Sequence, residues 1–191
     1  MLIITIKQGK EKAILAGEPW IYLSAIARID GRFEERMKVG GTAMIRSSSG
    51  QFLAKAAWSP QSQIRARIWT RDEKEAVDHA MIKRRVQQAL AKPRPTPASA
   101  YAPIRLIDGE KDSLPGLIVD YVGSNPGYLV CQFQAAGVDA WKVTIVKALI
   151  AETGCPNVYE HADPLIRAGE GLPAYSSALA GEEPPSEFDI A

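Results

Sequence analysis

Two cysteines and two histidines are all that 191 residues offer of the softer metal ligands and nucleophiles. Cys131 and Cys155 are too few for a disulfide framework, which points to a reducing compartment, here expected to be the cytoplasm. His79 and His161 lie far apart, with no metal-ligand spacing between them. No apolar run approaches the roughly 20 residues of a membrane-spanning helix, so no membrane partner is expected. The opening Met1 to Lys7 lacks the basic leader and cleavage site of a signal peptide. Glycine is missing where nucleotide cofactors need it, because no strand runs into a glycine-rich turn and then a helix. Gly40-Gly41 and Gly169-Glu170-Gly171 lack that setting, and no phosphate-cradling loop is present.

What is present is a division of charge. The net +1 conceals 17 Lys and Arg against 9 Asp and Glu in residues 1–92, a balance of +8, while residues 93–191 carry −7. Asymmetry of this kind points to a polyanion partner for the first part alone, with salt-dependent binding. A solvated basic surface without a partner accounts for the same count.

The chain divides at Pro93-Arg94-Pro95-Thr96-Pro97, where alternating prolines favour an extended linker. Before it, short β-rich segments at 2–6, 25–29, 42–46, 52–58 and 64–69 are joined by tight turns, the pattern of a small barrel. Lys10 to Ala16 is expected to be a short helix. A longer one follows, for which Asp72 can act as the cap with Glu75 three residues on. After the linker, strands at 104–107, 116–122 and 128–133, a helix from Val138 to Ile150, and strands at 157–160 and 176–180 describe a small α+β domain.

The most informative strand is Ile64-Arg65-Ala66-Arg67-Ile68-Trp69. Period-two alternation puts Ile64, Ala66 and Ile68 on one face and Arg65, Arg67 and Trp69 on the other. Arginine forks fit phosphates, and an indole can stack on unpaired bases. A half-buried strand with solvated arginines and Trp69 capping the core fits the alternation equally. Trp20 reads as a buried anchor. The loop Asp108 to Gly116 gathers three carboxylates, yet Asp-Gly and Pro-Gly are turn formers whose acids satisfy local backbone. Neither cysteine has a supporting base, so no catalytic residue is assigned.

These segments resemble one family, the bacterial S-adenosylmethionine-dependent methyltransferases that modify carbon 5 of a cytosine in 23S large-subunit ribosomal RNA. Gly17-Glu18-Pro19-Trp20-Ile21-Tyr22, Trp58-Ser59-Pro60-Gln61-Ser62 through Thr70, Arg105-Leu106-Ile107-Asp108-Gly109-Glu110 with Leu114-Pro115-Gly116, and Arg167 with Glu170-Gly171-Leu172 carry the resemblance. It implies an α+β architecture. A PUA-like β pseudo-barrel that binds RNA would occupy 1–72, and a connecting helix and Pro-rich linker 73–99. A small strand-strand-helix-strand-strand domain would occupy 100–181, acting as a spacer or as one wall of a substrate cleft. Residues 182–191 would begin a linker to a Rossmann-like domain. That further domain would hold S-adenosylmethionine and the catalytic cysteines, so the chain alone is expected to bind no cofactor and to be inactive. The expected RNA contacts are Arg65, Arg67, Trp69, Lys7, Lys10 and Arg28. A free-standing RNA-binding module, a protein scaffold acting through the acidic half, and a homodimer stay open.

Overall fold

The computed structural model describes residues 1–186 and 188; residues 187 and 189–191, part of the expected linker, lie outside the described residues. Eleven strands form two sheets. The first is built from β1 (Leu2–Ile6), β2 (Trp20–Tyr22), β3 (Ile26–Asp30), β4 (Thr42–Arg46), β5 (Phe52–Trp58) and β6 (Ile64–Thr70), with α1 (Glu11–Leu15) and α2 (Phe33–Met37) between strands. Its order is β2-β6-β5-β4-β1-β3, antiparallel except where β1 runs parallel to β4. Alternation drives the curl: Leu2, Ile4 and Ile6 of β1 point inward with Ala43 and Ile45 of β4, Ala54 and Ala56 of β5, and Ala66 and Ile68 of β6. Small alanines let the strands close around the larger isoleucines. This is the pseudo-barrel that the strand spacing predicts.

The second sheet has the order β11-β10-β9-β8-β7, from β7 (Ile104–Asp108), β8 (Leu117–Val122), β9 (Tyr128–Phe133), β10 (Val158–Glu160) and β11 (Ser177–Ala180). Only β9 and β10 are parallel, and their crossover is made by α4 (Ala136–Ala140) and α5 (Lys142–Thr153). A further short helix, α6 (Pro164–Gly169), precedes β11. The mixed α+β character is the expected one, whereas α2, α4 and α6 are too short to leave a periodic signature.

The long helix α3 (His79–Leu90) starts later than the sequence suggests. Asp72 does not cap it. Its carboxylate accepts from the Lys74 amide (2.9 Å) and its carbonyl from the Glu75 amide (3.2 Å), which closes a separate turn. The cap is Asp78, which accepts from the Met81 amide at 2.9 Å. Met81, Ile82, Val86 and Ala89 of α3 pack with Ile145, Ala148 and Leu149 of α5 over Val119, Leu129 and Phe133 of the sheet. The helix is therefore part of the second core as well as a connector. The proline-rich segment after it is held by Arg94, which donates to the Ala89 (2.8 Å) and Leu90 (3.0 Å) carbonyls at the end of α3 and to the Leu106 carbonyl (3.0 Å) of β7. A guanidinium there answers the negative end of the helix. Asp78→Ala is expected to cost about 1 kcal/mol in urea unfolding, while Asp72→Ala leaves helical circular dichroism unchanged.

Candidate nucleic-acid interface

The outward face of β6 is covered. The second domain's loops and α4 lie over it, so Arg67 and Trp69 form part of a contact between the two domains rather than an open cationic surface. This corrects the expectation of an outward stripe. Alternation separates the two faces of a strand, but it cannot say whether the second face meets water or another sheet. Trp69 is 4% exposed. It packs beneath Gly137 of α4, with the Arg85 guanidinium 6.0 Å from its ring centre. Arg65 donates to the Pro60 carbonyl of its own hairpin.

Arg67 is the centre of this contact. Its side chain is only 15% exposed and sits 3.3 Å from both Glu110 and Glu170. Trp20 lies 5.2 Å from its guanidinium carbon and donates its indole N–H to Glu110 at 2.9 Å. Trp20 is half-buried, an anchor as expected. Glu170, 6% exposed, also accepts from the Ser62 hydroxyl at 2.7 Å and the Ala136 amide at 3.3 Å. The Ser59 to Ser62 loop of the barrel and the Arg167 to Leu172 segment of the second domain, two of the motifs singled out in the sequence, therefore meet at one carboxylate. Backbone proximity makes this possible. A Cβ on Gly137 would stand 2.5 Å from the Ala57 Cβ and 3.1 Å from Trp69, and one on Gly40 would collide with the Ala136 carbonyl.

The carboxylates of the 108–116 loop are engaged in the same structural way. Asp108 pairs with Lys111 (2.9 Å) and Arg105 (3.5 Å), and Asp112 accepts from the Asp108 amide (2.7 Å) and pairs with Lys92 (2.5 Å). Deeper in the second domain, Arg167 bonds the Phe133 carbonyl (2.8 Å) and Asp139 (2.7 Å), while Lys142 meets Glu160 (2.9 Å). In this second cluster two cations, Arg167 and Lys142, balance two carboxylates, Asp139 and Glu160, as low-dielectric surroundings favour. Burial pushes the Cys131 thiol well up, which suits a core side chain and not a nucleophile. Among the described residues no group of three His, Cys, Asp or Glu could hold a metal ion. Nor is any helix there long and apolar enough to cross a membrane.

The remaining expected residues are on the surface. Lys7 and Lys10 are exposed at the end of β1 and the start of α1, and the Arg28 side chain on β3 is 72% exposed beside Asp30 (2.6 Å). Arg46 of β4 was not singled out in the sequence. Its signal was the outward alternation of Thr42, Met44 and Arg46, but only register places it near Arg28. Several other cations of the first 92 residues are tied to backbone carbonyls: exposed Arg36 donates to that of Gly31, half-buried Lys55 to that of Glu75, and exposed Arg71 to those of Ile14 and Glu18. The +8 of the sequence therefore overstates the free positive surface.

Two measurements test the contact between the sheets. Glu170→Ala leaves Arg67 and the Ser62 hydroxyl short of a partner in a dry site, and should lower unfolding free energy in urea by about 2–4 kcal/mol. Replacing both Arg67 and Glu170 should cost less than the sum of the single changes. Glu75 supplies a pH dependence. The Thr70 hydroxyl, then Arg85 and Arg84, hold its carboxyl below the usual value of 4.5. A lowered folded-state pKa means that its stabilising effect is complete above about pH 4.5 and is lost as pH falls below it. Glu75→Gln should flatten the acid limb of the melting-temperature profile.

Comparison with known proteins agrees with this architecture. A family model described as PUA-like domain matches residues 4–71. Proteins named ribosomal RNA large subunit methyltransferase I align with 98% of the chain. The one from Aliivibrio fischeri (strain MJ11) is 40% identical over 188 residues, that from Pseudoalteromonas translucida 38% over 189, and that from Salmonella paratyphi B 35% over 195. The chain spans 46%, 46% and 45% of their respective lengths. A solved structure from Streptococcus mutans, described as a SAM-dependent methyltransferase, superposes over 97% of this chain and 44% of its own, with a TM-score of 0.69 at 16% identity, which speaks for the fold alone. The chain is thus a homologue, over nearly all of its own residues, of the ribosomal RNA large subunit methyltransferase I proteins, spanning a little under half of their length and carrying a PUA-like domain at residues 4–71.

Proposed function

We propose that the chain is the RNA-holding and substrate-positioning portion of an S-adenosylmethionine-dependent ribosomal RNA (cytosine-5) methyltransferase, with methyl transfer carried by the part of the relatives that lies outside the matched residues. The observation that carries this reading is the exposed cationic edge of the PUA-like barrel, formed by Lys7, Lys10 and Arg28, on a molecule whose other half is acidic. Cations standing in water can take phosphates, displacing condensed counterions, whereas Arg67 and Trp69 are engaged where the barrel meets the second domain. The acidic second domain is poorly suited to a phosphate surface and is better suited to act as a rigid spacer.

Among the described residues, the strand-to-helix turn of the β9–β10 crossover does not fit the cofactor. The junction between β9 and α4, the strand-to-helix turn of the parallel crossover, is filled: Ala57 and Trp69 press against Gly137, and the Ala136 amide is bonded to Glu170. A dinucleotide-type site needs that kind of turn open, with its amides free. No step of methyl transfer is therefore assigned to this chain.

The test is binding of a large-subunit ribosomal RNA fragment to the purified chain by anisotropy across a salt series. Lys7→Ala, Lys10→Ala and Arg28→Ala together should weaken binding at least about tenfold at low salt and reduce the slope of log K against log salt by roughly 2–3. Arg65→Ala and Arg67→Ala should alter stability more than the salt slope. No detectable binding by the unaltered chain at low salt overturns the reading.

A further inference from the structure

Strand register brings two arginines to the same side chain from opposite directions. Thr5 of β1 stands opposite Arg28 of antiparallel β3 and also opposite Arg46 of parallel β4. The inward set of β1 is Leu2, Ile4 and Ile6, so Thr5 points outward, and its neighbours one strand spacing away on each side are both guanidinium-bearing. Between them lies a cleft of about 330 Å³, walled by Ile3, Thr5, Arg28, Arg46 and the Ser47 to Gly50 turn. Among the described residues Arg46 has no acidic partner, although it is half-buried. Asp30, also in the cleft, engages the Arg28 Nε at 2.6 Å, which leaves the two terminal nitrogens of Arg28 free. Lys7, exposed, continues β1 just beyond.

We infer that this cleft seats one backbone phosphodiester of the bound RNA, held between the Arg28 and Arg46 forks with the Thr5 hydroxyl beneath it. The inference rests on the reading of the barrel as an RNA-holding domain and gives it a fixed point of attachment. Chemistry and shape both favour a phosphodiester. Its two non-bridging oxygens accept from planar forks on either side, which a lone lysine cannot provide. The volume is at the small end of ligand pockets, enough for a sugar-phosphate unit but too shallow for a stacked base pair. The Ile3 side chain offers an apolar wall against a ribose. Asp30 carries the opposite sign and sets a limit at one end, so the phosphate sits on the Arg46 side. The location is also free of the second domain, which covers the β2-β6-β5 end of the sheet, whereas this cleft lies at the β4-β1-β3 end.

Single variants separate this site from general cationic attraction. Arg46→Ala should weaken binding of the large-subunit ribosomal RNA fragment about tenfold and lower the salt slope by roughly 0.7–0.9, the share of one phosphate. Arg32→Ala, at a more exposed arginine outside the cleft, should change the slope little. Asp30→Asn should act in the opposite sense and tighten binding at low salt. Thr5→Val, which keeps a β-branched residue in the strand, should weaken binding a few-fold with no loss of melting temperature. If the unaltered chain binds the RNA and Arg46→Ala matches it in affinity and slope, the cleft is not a contact although the domain still holds RNA. If the unaltered chain fails to bind, both readings fall. Inorganic phosphate is the second probe: shifts of the Thr5 and Arg46 amide resonances by phosphate, with RNA affinity unchanged in Arg46→Ala, identify a site for free phosphate and overturn the assignment to RNA.

Discussion

Arg67 brings a full charge to a place that little water reaches, and both carboxylates that pair with it come from the second domain, Glu110 from the turn after β7 and Glu170 from the end of α6. Leaving a guanidinium there unanswered would cost several kcal/mol, so the 108–112 loop and the 167–172 segment have to be in position whenever the barrel is folded. Trp20 and Ser62 extend the requirement to two more parts of the barrel, since each hydrogen-bonds one of the two carboxylates. A buried pair of this kind is a poor source of net stability compared with apolar packing of the same volume. What it fixes is register: the oxygens accept only from donors at the right place, and one relation between the sheets satisfies all of them. Gly40 and Gly137 let the backbones come close enough for those short bonds to form.

From that constraint the division of labour among the cations follows. The β2-β6-β5 end of the first sheet is roofed by the second domain, and the arginines there are structural. The β4-β1-β3 end is not roofed, and the positive groups there meet water. A rigid joint at one end fixes the angle at which the exposed surface at the other end stands to the second domain. Within the second domain, Arg94 ties the proline-rich segment to both α3 and β7.

Much of the fold was legible because it depends on short-range rules. Strand β4 runs over the residues that alternation marks, and the buried faces of β1 and β6 are their branched apolar residues and alanines. The capping pattern at Asp72 misled because Asp72-Glu73-Lys74-Glu75 satisfies its own backbone as a turn, and a helix signature of this form does not distinguish the two outcomes. Arg46 was missed for a different reason. Alternation within Thr42 to Arg46 marks it only as outward-facing; what sets it beside Arg28 is Thr5, its neighbour across a parallel pairing, and register between distant strands is not written in either strand alone.

The sequence by itself determined the longer strands of both sheets, the α+β class, the charge division and the kinship with the methyltransferase relatives, since these rest on composition, alternation and motifs within neighbouring residues. Only the tertiary structure decided whether the second face of β6 meets water or the other domain. Alternation tells the two faces apart, but the choice between solvating Arg67 and burying it depends on whether Glu110 and Glu170, 43 and 103 residues away, arrive to pair with it. A charge is stable in either setting if it is solvated or matched. Which of the two applies is a property of long-range contacts, and no local pattern carries it.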